Sequence, residues 1–334
     1  MALKTKSLVL ICLAGIIVLA GFLRLWHLSE IPPGLYPDEA INANDALLSP
    51  GKIFYPENNG REGLFINLIA LSFSVFGISI WSLKFVSAAI GILTIFGLYL
   101  LTKELFTKNI ALFSSLFLAT SFWHINFSRI GFRAILIPFL IVFGFYFLFK
   151  GLKTHKIWNF IIAGIIFGLG FYTYISYRFI VLLIPLMLVP WFFIYKDKKK
   201  FIKHNLYLAI SAFIVALPIG IYFLNNPADF TGRAAGVSIF TSENPLKDLG
   251  ISLISHLGMF NFFGDFNWRH NLSGSPQLLW PVGILFLIGF FFSIKKLLEF
   301  KKNKNWSLVT GYWLLLSWWL IMLLPGFLSK EGVP

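Results

Sequence analysis

Apolar runs of near bilayer-spanning length recur along this chain, separated by short polar connections. A helix needs about 20 apolar residues to cross the hydrocarbon core, whereas a barrel strand needs only about ten. The runs at 7–26, 81–101, 110–127, 134–149, 157–175, 179–195, 205–224, 277–294 and 306–328 therefore read as helical spans. Only 13% of residues are charged, against about 25% in soluble domains. The expectation is an all-α polytopic membrane protein with about nine transmembrane helices. The first run follows Lys4 and Lys6 but is longer than a secretory apolar core and lacks a small-x-small cleavage site. It reads as an uncleaved span.

The stretch 63–77 is apolar but only about 15 residues long, short of a span. Reading it as an interfacial or re-entrant helix makes the lysine clusters fall on one side. Lys4 and Lys6, Lys103 and Lys108, Lys150, Lys153 and Lys156, Lys196 to Lys203, and Lys295 to Lys304 then share the inner loops. By the positive-inside rule that side, with the N-terminus, is cytoplasmic. With Glu104, Asp197 and Glu299 these loops carry the whole formal excess of +14. The basic balance is thus a topology signal, and no nucleic-acid partner is implied. The single cysteine, Cys12, excludes an intrachain disulfide and a thiolate metal cluster. No ionisable residue falls near the middle of a span, which argues against an ion-coupled transporter.

Two outer segments remain, 27–80 with the interfacial helix and 225–276. All seven arginines lie on or near this outer side. Lysine suffices for topology, whereas arginine offers a planar fork for phosphate or carboxylate. Asp38-Glu39 follows the first span. One carboxylate at the water boundary can take a proton from an acceptor hydroxyl while its neighbour orients it. The alternative is that both cap the following helix. Arg61 and Glu62 open the helix at 63–77, either as an anion site or as an exposed ion pair. Arg129 and Arg133 are spaced i, i+4, and Arg178 falls at the same level; together they suit a lipid-linked phosphate, with snorkelling as the alternative. In the second outer loop, His256, Asp265, Arg269 and His270 are candidates. His plus carboxylate leaves a divalent metal open, without a recognisable ligand spacing.

Asp38-Glu39 after the first span, the interfacial helix, Phe76-Gly77-Ile78-Ser79-Ile80-Trp81-Ser82-Leu83-Lys84-Phe85 and Ser128-Arg129-Ile130-Gly131-Phe132-Arg133 come in that order. This order resembles GT-C glycosyltransferases of the protein O-mannosyltransferase and lipid A aminoarabinose transferase type. The resemblance covers nearly the whole chain and is clearest in 30–150. It implies one GT-C-like transmembrane domain over 1–334. It also implies a donor sugar on polyprenyl phosphate, of undecaprenyl or dolichyl type, and inverting transfer to a protein, lipid or glycan acceptor. Transfer would occur at the outer face of the plasma (inner) membrane. It makes Asp38 the catalytic carboxylate with Glu39 beside it, makes Arg61 a contact to the donor phosphate, and sets the second outer loop over the active site. Arg61-Glu62-Gly63-Leu64 departs from the family, where prolines commonly follow the basic residue. The end at Leu324 to Pro334 resembles an outer loop that continues in the family, so a C-terminal remainder is expected. A lipid-linked glycan flippase or transporter, and a glycan polymerase, are the alternatives.

Overall fold

A computed structural model describes residues 2–303 and 306–330. Lys304 and the terminal Glu331 to Pro334, which entered the charge pattern and the chain-end reading, lie outside the described residues. The described chain is nearly all helix. In order it forms α1 (Ala2–Leu25), α2 (Pro37–Leu48), β1 (Phe54–Tyr55), β2 (Arg61–Glu62), α3 (Leu64–Phe76), α4 (Ile80–Leu105), α5 (Lys108–Thr120), α6 (Phe122–Arg129) and α7 (Leu136–Thr154). Next come α8 (Ile157–Leu169), α9 (Ile180–Ile194), α10 (Lys198–Asn225), α11 (Pro227–Val237), α12 (Pro245–Gly258), α13 (Trp280–Asn303) and α14 (Trp306–Phe327).

Seven of these helices are long and apolar enough to cross a membrane. An eighth span results if α5 and α6, bent by 58° at Ser121, count as one. The run expected at 157–175 is shorter than a span, because the chain leaves the α-helix after Leu169. The expectation of nine thus narrows to seven or eight among the described residues. The helix surfaces identify their solvent. Leu8, Ile11, Val18 and Phe22 on α1 are all more than half exposed. Such a face is unfavourable in water and suits lipid. The protein is a multi-pass integral membrane protein.

The chain forms two compact units, Met1–Tyr174 with Leu206–Asn225, and Ile175–Asn205 with Asn226–Pro334. In the first, α3 lies on α2 and α4, around a core that includes Tyr55, Phe65, Ile69, Leu83 and Leu136. At 13 residues α3 is too short to cross hydrocarbon. Close helix approach depends on small residues. A Cβ on Gly164 would meet the Leu208 carbonyl oxygen at 2.3 Å, and one on Gly168 would meet that of Ala212 at 2.7 Å, so α8 packs backbone-close on α10. In the second unit α14 packs against α9, α12 and α13. Trp313 Nε1 donates to the Leu186 carbonyl at 2.8 Å.

Buried cations organise the first unit. Arg24, fully buried, donates to the carbonyls of Ala119 (3.0 Å) and Leu118 (3.3 Å), and its Nε donates to Ser128 Oγ (3.2 Å). Its NH2 lies 2.8 Å from His124 Nδ1. These carbonyls lie at the C-terminal end of α5, beside the bend, where Arg24 supplies side-chain donors in addition to the Ser121 amide on Leu118.

Candidate active site

The site is built on the first turn of α2. Tyr36 is the N-cap and Pro37 opens the helix, where a missing N–H removes nothing. Glu39, at the third helical position, folds back, and its Oε2 accepts from the Tyr36 amide at 3.1 Å. Its Oε1 accepts from the Gly131 amide at 2.7 Å. Glu39 is only 1% exposed. Burial pushes its carboxyl above the ordinary 4.5 and Asp38 adds to this, while the two amides and the Lys84 ammonium pull the other way. Asp38 has a different setting. It is half-buried, and its Oδ1 accepts from Asn58 Nδ2 at 2.9 Å. The adjacent carboxylates therefore separate into a buried anchor and a solvent-reaching acid.

The segment leading to Asp38 is held by two more cations. Arg129 gives its guanidinium to four backbone carbonyls, those of Leu23 (2.9 Å), Trp26 (2.7 Å), His27 (3.2 Å) and Ile31 (2.8 Å). These include free carbonyls at the C-terminal end of α1, where a cation also meets the negative end of the helix dipole. Lys84, with no exposed surface, donates to the Pro32 (2.8 Å) and Gly34 (3.1 Å) carbonyls. Arg129 and Lys84 together fix residues 23–34, and so fix where α2 begins.

The hairpin β1–β2 forms the other wall. Phe54 pairs with Glu62 and Tyr55 with Arg61. Arg61 is buried and faces α2, donating to Asn42 Oδ1 at 2.9 Å and pairing with Asp45, with its Nε on the Glu57 carbonyl at 3.3 Å. Glu62 is buried and pairs with Arg133 at 3.5 Å. Arg133 also donates to the Gly60 carbonyl at 3.4 Å and lies 5.0 Å over the Tyr174 ring. The hairpin tip thus joins Asp38, through Asn58, to Arg133 and Glu62, through Gly60.

The remaining sequence candidates belong to the second unit. Arg178 donates to the Phe230 carbonyl at 2.8 Å and stacks 4.2 Å over that ring. His256 is buried, with Nδ1 2.8 Å from the Ser252 carbonyl, and packs edge-on to Phe327. His270 Nδ1 lies 3.0 Å from Asp265 Oδ2, and Arg269 Nε donates to Asn267 Oδ1 at 3.4 Å. No three His, Cys, Asp or Glu side chains gather among the described residues in a way that could hold a metal ion. Sequence reasoning missed Asn58 and the clamp made by Lys84. The only signal for the first was the Asn58-Asn59-Gly60 turn, and for the second a charged residue near a span end.

Residues 64–222 match the family model described as dolichyl-phosphate-mannose-protein mannosyltransferase. No curated protein matches the chain. Among solved structures it is similar to the Archaeoglobus fulgidus oligosaccharyltransferase in the apo form, with a TM-score of 0.62 and 17% identity over 100% of this chain and 49% of that one. The same archaeal protein tethered to an acceptor peptide gives 0.56 and 18%, over 97% and 50%. Its complex with an inhibitory peptide and a dolichol-phosphate gives 0.52 and 16%, over 98% and 50%. The chain therefore shares the fold of that archaeal protein, a GT-C-like fold. It spans about half the length of the structures it matches.

Proposed function

We propose that the protein is a glycosyltransferase that moves a sugar from a polyprenyl-phosphate carrier, of dolichyl or undecaprenyl type, to an acceptor hydroxyl at the outer face of the plasma (inner) membrane. The single observation that carries this reading is the split of Asp38 from Glu39. The family match and the GT-C-like fold support the class of reaction, and the split supports Asp38 as the acid–base group. The lysine asymmetry of the loops supports a cytoplasmic N-terminus and an outer site. A peptide acceptor is favoured by the acceptor peptide in the archaeal relative of this fold.

In this mechanism Asp38 takes the acceptor hydroxyl proton. The acceptor oxygen then bonds to the anomeric carbon as the bond from that carbon to the phosphate oxygen breaks. The carrier phosphate leaves with the electron pair, and attack from the opposite face inverts the configuration. Arg133 is the leading contact to the phosphate, because it bonds Gly60 at the hairpin tip whose Asn58 bonds Asp38. Arg61 remains a second candidate, at the opening of α3, and Arg178 a separate one within its own unit. Arg129 acts by holding the segment before Asp38. The reading treats 1–334 as one transferase domain.

The test uses the full-length protein in proteoliposomes with radiolabelled dolichyl phosphate mannose. Asp38→Asn is expected to lower sugar release or transfer by about 100-fold or more, with donor binding kept. Wild-type turnover in Asp38→Asn would reduce the pair to a helix cap and favour a flippase.

A further inference from the structure

The Asp38 carboxylate reaches solvent, so an exact orientation needs a partner that holds its rotamer. Resting on the reading above, we infer that Asn58 is the positioning residue that orients Asp38 for proton transfer. Its Nδ2 donates to Asp38 Oδ1 at 2.9 Å. A carboxylate accepts only, so the amide must present its NH2 group here, and the asparagine orientation is fixed. The bond occupies Oδ1 and leaves Oδ2 as the oxygen that receives the acceptor proton.

Asn58 is itself presented by a rigid turn. Asn58, Asn59 and Gly60 all have left-handed backbone, with φ of 52°, 63° and 75°. Asparagine and glycine tolerate this region where most side chains are strained. The Gly60 amide donates to the Glu57 carbonyl at 3.3 Å, and the Gly60 carbonyl accepts from Arg133 at 3.4 Å. A Cβ on Gly60 would lie 2.8 Å from Phe54 Cζ, so the turn sits directly on that ring. Phe54 in turn packs on Tyr222 and Phe223, with ring centroids 5.3 and 5.2 Å away. The donor therefore reaches Asp38 from a turn whose backbone is fixed on both sides. No other described side chain bonds Asp38.

The test compares wild type, Asp38→Asn, Asn58→Gly and Asn58→Asp with radiolabelled dolichyl phosphate mannose in proteoliposomes. Thermal midpoint in detergent is read for each. Glycine keeps the left-handed backbone and removes the donor. Aspartate keeps both shape and backbone but sets a like charge against Asp38. The expected result is a kcat lowered by about 10- to 100-fold in Asn58→Gly, and further in Asn58→Asp, with KM for the donor within about twofold of wild type. The midpoint of Asn58→Gly stays near wild type, which separates orientation from folding. Wild-type kcat in Asn58→Gly, with Asp38→Asn inactive, overturns the role of Asn58 and leaves the transferase reading standing. A rise in KM with kcat unchanged also overturns it, since the residue would then bind donor. Normal turnover in Asp38→Asn overturns both.

Discussion

Glu39 accepts the Gly131 amide at 2.7 Å and so ties the first turn of α2 to the turn that follows α6, 92 residues away. The approach is close at this glycine. A Cβ on Gly131 would lie 3.3 Å from Glu39 Oε1 and from Leu83. Two segments that the resemblance had marked separately, Asp38-Glu39 and Ser128 to Arg133, are thus one structural joint. Glu39 fixes the helix from which Asp38 reaches solvent.

Glu39→Gln should destabilise the protein by about 1–3 kcal/mol, because the amide NH2 must face one of two backbone N–H donors. The effect should depend on pH. Burial holds the Glu39 carboxyl above its ordinary 4.5, so the folded state binds this proton more tightly than the unfolded state. Its contribution to stability is then complete below 4.5 and declines as pH rises through the raised value. Thermal midpoints of wild type and Glu39→Gln, measured across that window in detergent, should converge as pH rises. A constant gap would refute the assignment.

Arg129→Lys keeps the charge but not the fork that spans the carbonyls of Leu23, Trp26, His27 and Ile31. Lysine has three donors and no planar geometry. A loss of about 2–3 kcal/mol is expected, with faster amide exchange across residues 23–34 by hydrogen-exchange mass spectrometry. Unchanged exchange there would show that Lys84 alone holds the segment.

Gly63→Ala should disrupt the hairpin. Its Cβ would lie 2.1 Å from the Lys52 carbonyl oxygen and 2.8 Å from that of Ile53, both backbone atoms. Moving them breaks the 2.8 Å bond from the Gly63 amide to the Ile53 carbonyl. The expected loss is about 2–4 kcal/mol. Gly15→Ala on α1 is the matched control, since nothing lies within 4 Å of its Cβ. Equal midpoints for the two variants would contradict the geometry.

Arg133→Lys should raise KM for a polyprenyl-phosphate donor by about tenfold, as bidentate recognition is lost. Retaining a cation keeps Glu62 from being a buried unpaired charge. The check is a kinetic comparison at saturating acceptor. A change in kcat alone would assign Arg133 to the reacting centre instead of the phosphate.

The sequence by itself determined the membrane character, the helical class and the place of the polar connecting segments, because these follow from run length and hydropathy, which are local properties. It also singled out Asp38-Glu39, since two carboxylates after a span are visible in a string of letters. It did not separate nine spans from seven or eight, because the end of α8 and the bend at Ser121 depend on backbone geometry that composition does not encode. Nor did it divide the arginines. Arg24 and Arg129 are taken up by backbone carbonyls, Arg61 turns to α2, and Arg133 stays beside the hairpin tip. The choice between Asp38 and Glu39, and the appearance of Asn58, also came only from the tertiary structure. A side chain's role is set by which distant donors reach it. Those donors, Gly131 for one carboxylate and Asn58 for the other, are brought near by helix packing and a left-handed turn, and neither leaves a mark at the position it serves.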